Sequence, residues 1–289
     1  TGGALANPLP PSKYLSALYE MPYLHQASLS VERTFLENLR VMTAYTMMRG
    51  RDQIRARNLN APASGGLHPI RPDPSLGNVT AIESTGRTEI DRFMVNVNYA
   101  IPEKRLFMGG NYQLGRANNY ADNPFSLPAD NYNPDAEWGP SLQDIRHRMF
   151  AMVNFGVPWA MRLGIFTQAQ PASPYNIITG IDSNRDTVVN DRPEGVKRNA
   201  GRGSASWNLN ARLSKSFGFG PQRESTGAPQ VRRVGGGGRR SGGGPMMMMM
   251  ENSNNRYRVE FYLQAFNILN RVNYQSYVGN LLSENFGLP

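Results

Sequence analysis

The stretch Ser206–Phe217, SWNLNARLSKSF, alternates apolar and polar residues along nearly its whole length. Successive side chains of a β-strand point to opposite sides, so one face of this stretch is apolar and the other is polar. The apolar positions are Trp207, Leu209, Ala211, Leu213 and Phe217, and the polar positions are Asn208, Asn210, Arg212 and Ser214. This pattern predicts a long strand with different surroundings on its two sides.

Seven further segments repeat this period of two. They are Tyr23–Arg33, Leu39–Arg49, Ile90–Ala100, Arg105–Gly115, Arg148–Val157, Trp159–Gln168 and Arg256–Ile268. Each has about ten residues or more, whereas strands of soluble proteins average about 5–6 residues and tilted membrane strands need about 9–11. We therefore predict an all-β fold, an antiparallel meander of about eight strands that forms part of a transmembrane outer-membrane β-barrel.

The connections between these segments alternate in length. Short links lie at Thr34–Asn38, Pro102–Lys104 and Gly156–Pro158, and long links lie at Gly50–Glu89, Arg116–His147 and Pro171–Ala205. Outer-membrane barrels have short periplasmic turns and long outer loops, so the alternation favours a barrel over a sandwich. We predict long outer loops at 50–89, 116–147, 171–205 and 269–289.

The two ends of the chain follow the same parity. Thr1–Pro22 is expected to be an outer loop that lacks its preceding strand, and no final inward strand follows residues 269–289. Thr1–Pro10 has neither the basic nor the apolar region of a signal peptide. We therefore expect the chain to be a C-terminal barrel fragment of a longer protein, cut at both ends.

The composition agrees with a barrel. Hydrophobic residues make up 39% of the chain and charged residues 18%, the net charge is +9, and there is no cysteine. Soluble domains carry about 25% charged residues, and neutral polar residues fill the difference here. The absence of cysteine excludes disulfides and thiol metal sites. No apolar run approaches the ~20 residues of a membrane helix.

The link at residues 218–255 breaks the pattern because it is long where a short periplasmic turn is expected. It contains Gly235–Gly238, Gly242–Gly244 and the five methionines Met246–Met250. Such a composition cannot build a core, so we predict a disordered Gly/Arg/Met-rich periplasmic insertion. Two alternatives are an RGG-like nucleic-acid binder and a soft copper(I) site on the methionines.

One predicted outer loop carries a candidate metal site. Asp182, Asn184, Asp186 and Asn190 place oxygen side chains at alternating positions, as the first positions of an EF-hand calcium loop do. Thr187 stands where that loop has glycine, and no glutamate follows at its twelfth position. The residues are therefore candidate calcium ligands, and the alternative is a turn in which they bind their own backbone. No other cofactor is predicted.

The sequence contains no combination of residues typical of an enzyme. It has no G-x-S-x-G, Walker or H-E-x-x-H motif, and His25, His68 and His147 share no metal-ligand spacing. His147 lies in Asp144–Arg148 (DIRHR), which we interpret as a salt-bridge and hydrogen-bond cluster at a loop base. We predict that the protein is not an enzyme.

The alternation assigns side chains to the lumen or to lipid. The predicted lumen-facing residues are Asn96, Asn98, Asn111, Gln113, Asn208, Asn210, Arg212, Arg258, Glu260 and Gln264. The predicted lipid-facing residues are Phe93, Val95, Val97, Tyr99, Trp207, Leu209, Leu213, Phe217, Val259, Phe261 and Leu263. Aromatic residues expected at the membrane interface on the short-turn side are Tyr99, Phe107, Phe155, Trp159, Phe217 and Tyr257.

A set of short motifs resembles the C-terminal barrel of Oar-like TonB-dependent receptors of the acidobacterial type. In order they are Leu127–Asn133 (LPADNYN), Glu137–Ser141 (EWGPS), Asp144–Arg148 (DIRHR), Pro174–Gly180 (PYNIITG), Asn190–Pro193 (NDRP) with Arg198 and Asn199, and Phe266–Asn273 (FNILNRVN). The resemblance implies a parent with a 22-stranded barrel and an N-terminal plug, which moves an unknown solute across the bacterial outer membrane with energy from TonB.

The resemblance also implies the partners, which are outer-membrane lipid, the TonB system through a plug that this chain lacks, and the solute, but no nucleic acid. No solute contact is carried over from the family to residues of this chain. The alternative function is a soluble β-sandwich or adhesin-like binding module, in which the apolar strand faces pack against each other.

Overall fold

A computed structural model describes residues 13–16, 20–63, 70–222 and 255–289. In chain order the strands are β1 (Lys13–Ser16), β2 (Tyr23–Phe35), β3 (Leu39–Asn58), β4 (Val79–Ile101), β5 (Leu106–Asn119), β6 (Gly139–Pro140), β7 (His147–Val157), β8 (Met161–Gln170), β9 (Ser206–Gln222) and β10 (Asn255–Ala265). Two single 3₁₀ turns, Pro102–Lys104 and Pro134–Glu137, are the helical elements of this part. No described helix is long and apolar enough to span a membrane.

All described strands belong to one sheet. Its order is β10-β9-β8-β7-β5-β4-β3-β2, and each neighbouring pair in this path is antiparallel. The two short strands lie off the path: β6 pairs with β5, and β1 pairs in parallel with β4. The predicted all-β antiparallel meander of eight long strands is therefore confirmed.

The register joins the alternation of single strands into two continuous faces. One row runs Val97–Gly110–Ala151–Thr167–Leu209, and the next row runs Asn96–Asn111–Phe150–Gln168–Asn208. Because the period is two, every second row belongs to the same side of the sheet. We call the side of Val97 and Leu209 the apolar face, and the side of Asn96 and Asn208 the polar face.

The hairpin of β3 and β4 is longer than predicted. The ladder continues to Asn58 and begins again at Val79, so the predicted loop 50–89 is wrong and the connection is 59–78. This part was missed because residues 50–58 (GRDQIRARN) are mostly charged or polar and do not alternate between apolar and polar side chains. The Arg57 guanidinium binds Glu83 at 2.6 Å, and the register shifts between Gly50 and Arg55.

Local backbone geometry corrects other predicted bounds. Trp159 was expected to begin a strand, but Trp159 and Ala160 have φ of 61° and 54° and form the turn before β8. Arg105 has φ 48° and precedes β5. β10 ends at Ala265 instead of Ile268, and Asn267 has φ 47°.

Two other predicted links also change. β9 extends to Gln222 and β10 begins at Asn255, so the predicted insertion at 218–255 is wrong at its ends, and its residues 223–254 lie outside the described part. The predicted loop 116–147 loses its first residues to β5 and contains β6.

The residues with the least exposure, such as Ala56, Ala81, Ala117 and Tyr120, lie at the end of the sheet that carries the long connections.

Candidate functional site

Four long connections at one end of the sheet contact one another. We call them the loop layer, which comprises residues 59–63, 70–78, 120–146, 171–205 and 266–289. Asn58, only 1% exposed, links the first two at the end of β3. Its backbone N–H donates to Asn131 Oδ1 at 2.7 Å, and its own Oδ1 accepts from the backbone N–H of Val79 and Asn60. Asn58 thus fixes both ends of the 59–78 connection to the 120–146 connection.

Arg198 links the third connection to the second. The guanidinium is 9% exposed and donates to the Asp122 carboxylate, to the Glu137 carbonyl at 3.0 Å and to the Asn119 carbonyl at 2.7 Å. Beside it, Arg192 binds Glu137 through two hydrogen bonds of 2.6 and 3.0 Å. Bidentate arginine–carboxylate pairs constrain geometry strongly, so this cluster fixes the relative positions of two loops.

Two carboxylates of the loop layer have shifted pKa values. Burial alone raises the pKa of Asp122, but the Leu142 N–H, the Arg198 charge and two amide donors outweigh it, so the pKa of Asp122 lies below its ordinary value. Burial raises the pKa of Asp186, and the nearby carboxylates of Asp182 and Asp191 raise it further. Asp122 is therefore stabilised as an anion, whereas Asp186 is not.

A cavity of about 490 Å³ lies between the loop layer and the sheet. Its charged lining consists of Arg55, Asp122, Glu137, Arg192 and Arg198. A second cavity of about 370 Å³ adjoins it and shares Arg55, Tyr120, Ala121 and Asp122. Together they form one space where the polar face meets the loops.

The predicted calcium residues lie in one turn and bind the backbone. Asp182 accepts from the N–H groups of Asp186 and Thr187 at 3.0 and 2.9 Å, and Asn184 accepts from Asp186 at 2.9 Å. Asn190 instead donates to the carbonyls of Leu127 and Pro128. Among the described residues, no group of three or more His, Cys, Asp or Glu side chains is arranged to hold a metal. Calcium binding stays a prediction.

The register brings the predicted lumen-facing residues together. The ten residues Asn96, Asn98, Asn111, Gln113, Asn208, Asn210, Arg212, Arg258, Glu260 and Gln264 all lie on the polar face. The eleven predicted lipid-facing residues, Phe93, Val95, Val97, Tyr99, Trp207, Leu209, Leu213, Phe217, Val259, Phe261 and Leu263, all lie on the apolar face. Which face meets the lumen and which meets lipid stays a prediction.

Two side chains lie differently from the sequence interpretation. Phe107 pairs with Ala100 and Asn154 on the polar face, so it does not join the aromatic residues of the apolar face. His147 lies on the apolar face, and its Nδ1 is 2.7 Å from the hydroxyl of Tyr112. The ion pair of the DIRHR motif is instead formed by Asp144, which accepts from Arg202 at 2.5 Å.

The loop cluster and several polar-face arginines were missed by sequence reasoning. A signal for the cluster was available, since Glu137, Arg192, Arg198 and Asn199 all belong to the motifs that carry the family resemblance. The arginines at alternate strand positions are Arg40, Arg92, Arg148 and Arg162. Counting charge separately for each face would have found them.

Comparison with known proteins gives a family and one fold likeness. The model of the outer membrane beta barrel domain family matches residues 2–288. The outer membrane transporter YddB from Escherichia coli is similar in structure, with a TM-score of 0.49 and 13% sequence identity. That match covers 72% of this chain and 28% of the YddB chain. No curated protein matches the sequence.

Proposed function

The chain belongs to the outer membrane β-barrel domain family and is located in the bacterial outer membrane, and on this premise we propose that it forms part of the wall of a TonB-dependent transporter. The observation that carries the proposal is the pair of continuous faces on eight long antiparallel strands. A barrel wall needs one face for lipid and one for a wet lumen. In this role the chain binds and guides a solute and catalyses no reaction.

The proposal assigns a task to each face. The apolar face contacts lipid, and side chains such as Val97, Phe93 and Leu263 are 37–75% exposed on it, as expected where lipid is the neighbour. The polar face lines the lumen, and the loop layer covers its outer end. TonB dependence rests on the motifs shared with Oar-like receptors, and a plug elsewhere in the parent protein would connect the barrel to TonB.

The soluble sandwich or adhesin-like module has less support. A sandwich needs a second sheet packed on the apolar face, about 10 Å away. All strands in the described residues belong to one sheet, and its apolar face is not covered by another. A membrane location is the simpler account of that face.

A pair of neighbouring substitutions tests the proposal. In the full-length protein that carries this chain, we expect Val97→Arg to place a charge in lipid at a cost of about 2–4 kcal/mol, whereas Asn96→Arg points it into water. The measurement is recovery of a folded, heat-modifiable band from outer-membrane fractions. Val97→Arg should reduce recovery strongly, and Asn96→Arg should not.

The controls separate the outcomes. Val97→Ala shortens the same side chain without adding a charge, so it should leave recovery close to that of the unsubstituted protein. Equal recovery of the two arginine variants, or a folded protein found in the soluble fraction, would contradict the assignment of the faces.

A further inference from the structure

The polar face has an unusual charge balance. In the rows that pair without a register shift, on the short-turn side of Gly50 in β3 and from Tyr257 onward in β10, it carries six arginines and two glutamates, an excess of four positive charges, with no lysine or aspartate. The arginines are Arg40, Arg92, Arg148, Arg162, Arg212 and Arg258, and the glutamates are Glu32 and Glu260. Beyond the shift in β3, the ion pair of Arg57 with Glu83 adds no net charge. We propose that this face is an anion-selective wall, and that the transported solute is an organic anion. The proposal rests on the proposed function, because it requires the polar face to line the lumen.

Both glutamates are already neutralised by arginines of the same face. Glu32 lies 3.4 Å from Arg40, and Glu260 lies between Arg212 at 3.3 Å and Arg258 at 3.6 Å. The positive excess of these rows therefore remains after both glutamates are counted. Charge of one sign on a low-dielectric wall raises the local concentration of the opposite ion, and rings of arginine select anions in pores.

Two arginines are especially suited to bind an incoming anion. Arg92 has a buried Nε without a hydrogen-bond partner, which costs free energy unless a ligand or water satisfies it. Arg148 donates from its Nε to the neutral amide of Gln170 at 3.0 Å, so its positive charge is not cancelled there. Both lie in the half of the sheet nearer the loop layer, where a solute arrives first.

Most of these arginines have a glycine as their cross-strand neighbour. Four of the six stand directly opposite a glycine on the next strand: the pairs are Arg92–Gly115, Arg162–Gly156, Arg212–Gly164 and Arg258–Gly218. The Asn154 amide and the Arg105 side chain occupy this space at Gly164 and Gly156, whereas a Cβ at Gly115, opposite Arg92, would have its nearest neighbour at 3.6 Å. The same face also carries rings, since Phe150 and Phe166 lie in successive rows of this face and the Arg212 guanidinium is 3.9 Å from the centre of the Tyr262 ring. Arginines among rings suit an anion with an apolar or aromatic body.

The cavity beneath the loop layer is also lined by arginines. Arg55, Arg192 and Arg198 line the cavity beneath the loop layer, against Asp122 and Glu137. Arg55 also pairs with Asp135 at 3.7 Å, so an anion that enters through this cavity meets paired charges there before the arginines of the polar face. The solute class follows from the charge of the path and does not require any single residue to be its ligand.

The test uses an aromatic polyanion as the probe. Pyranine, a pyrene trisulfonate, is titrated onto the purified full-length protein in neutral detergent, and binding is followed by fluorescence anisotropy. We expect binding that weakens with added salt, and a Kd about tenfold or more higher in Arg92→Gln/Arg148→Gln, which corresponds to about 1.4 kcal/mol or more. Rhodamine 6G, an aromatic cation, should bind far more weakly than pyranine.

A matched double variant on the opposite face serves as the control. Arg33→Gln/Arg116→Gln removes the same charge from the apolar face, so its Kd for pyranine should stay within twofold of the original. Absence of pyranine binding, an equal affinity for rhodamine 6G, or an equal loss in both double variants overturns the proposal. A lower unfolding temperature of Arg92→Gln/Arg148→Gln with unchanged pyranine binding also overturns the proposal. The two arginines would then bind an acidic segment of the parent protein instead of a solute. Outer-membrane recovery tests the proposed function separately, because it does not depend on these charges.

Discussion

The carboxylate of Asp122 shows how one side chain can hold distant segments of the chain together. It accepts hydrogen bonds from Arg198, from Asn199 at 2.6 Å and from the Leu142 N–H at 2.9 Å. Removing one partner of a buried ion pair typically costs about 3–5 kcal/mol, because the other charge stays buried. We therefore expect Asp122→Ala to open the loop layer locally, with faster hydrogen exchange at residues 120–146 and 196–202.

The control for Asp122 is a second aspartate of the same connection. Asp130 accepts from the backbone N–H of Tyr132 at 2.8 Å, so Asp130→Ala should change exchange near that turn alone. The pH dependence gives another readout. The pKa of Asp122 in the folded protein lies below its ordinary value of 3.8. Its contribution to the stability of the loop layer is therefore complete above pH 3.8 and is lost as the pH falls through the folded pKa. Exchange rates unchanged by Asp122→Ala would contradict a linking role.

At the scale of the element, the β3–β4 hairpin depends on a glycine. A Cβ at Gly86 would lie 2.7 Å from the backbone oxygen of Gln53, closer than a side chain can approach. At Gly110 the nearest atom would be 3.7 Å away, an ordinary contact. We expect Gly86→Ala to lower the free energy of unfolding by about 1–3 kcal/mol, as overpacking does. Gly110→Ala should have little effect, and urea unfolding of the two variants in detergent provides the comparison.

The same elements show what could be predicted from sequence. The long strands were predictable because a face against one environment imposes a period of two over ten or more residues. The end of the β3–β4 hairpin was not, because its residues do not alternate between apolar and polar, and charged side chains such as Arg57 and Glu83 form ion pairs on it. The contacts of Asn58 with Asn131 and of Arg198 with Asp122 join residues 73 and 76 positions apart, and no local pattern encodes such a pairing.

At the scale of the whole molecule, the described sheet has two free edges. β2 pairs with β3 alone and β10 with β9 alone, so the outer N–H and C=O groups of both edge strands have no partner among the described residues. Each unpaired backbone group costs several kcal/mol inside a bilayer, which is why membrane sheets close. Residues 1–289 refolded alone in detergent should therefore form edge-paired oligomers or aggregates, whereas the full-length protein should give a monomeric, heat-modifiable band. A monomeric, protease-resistant and heat-modifiable sample of residues 1–289 would show that these edges close on each other, and the sheet would then be a complete small barrel.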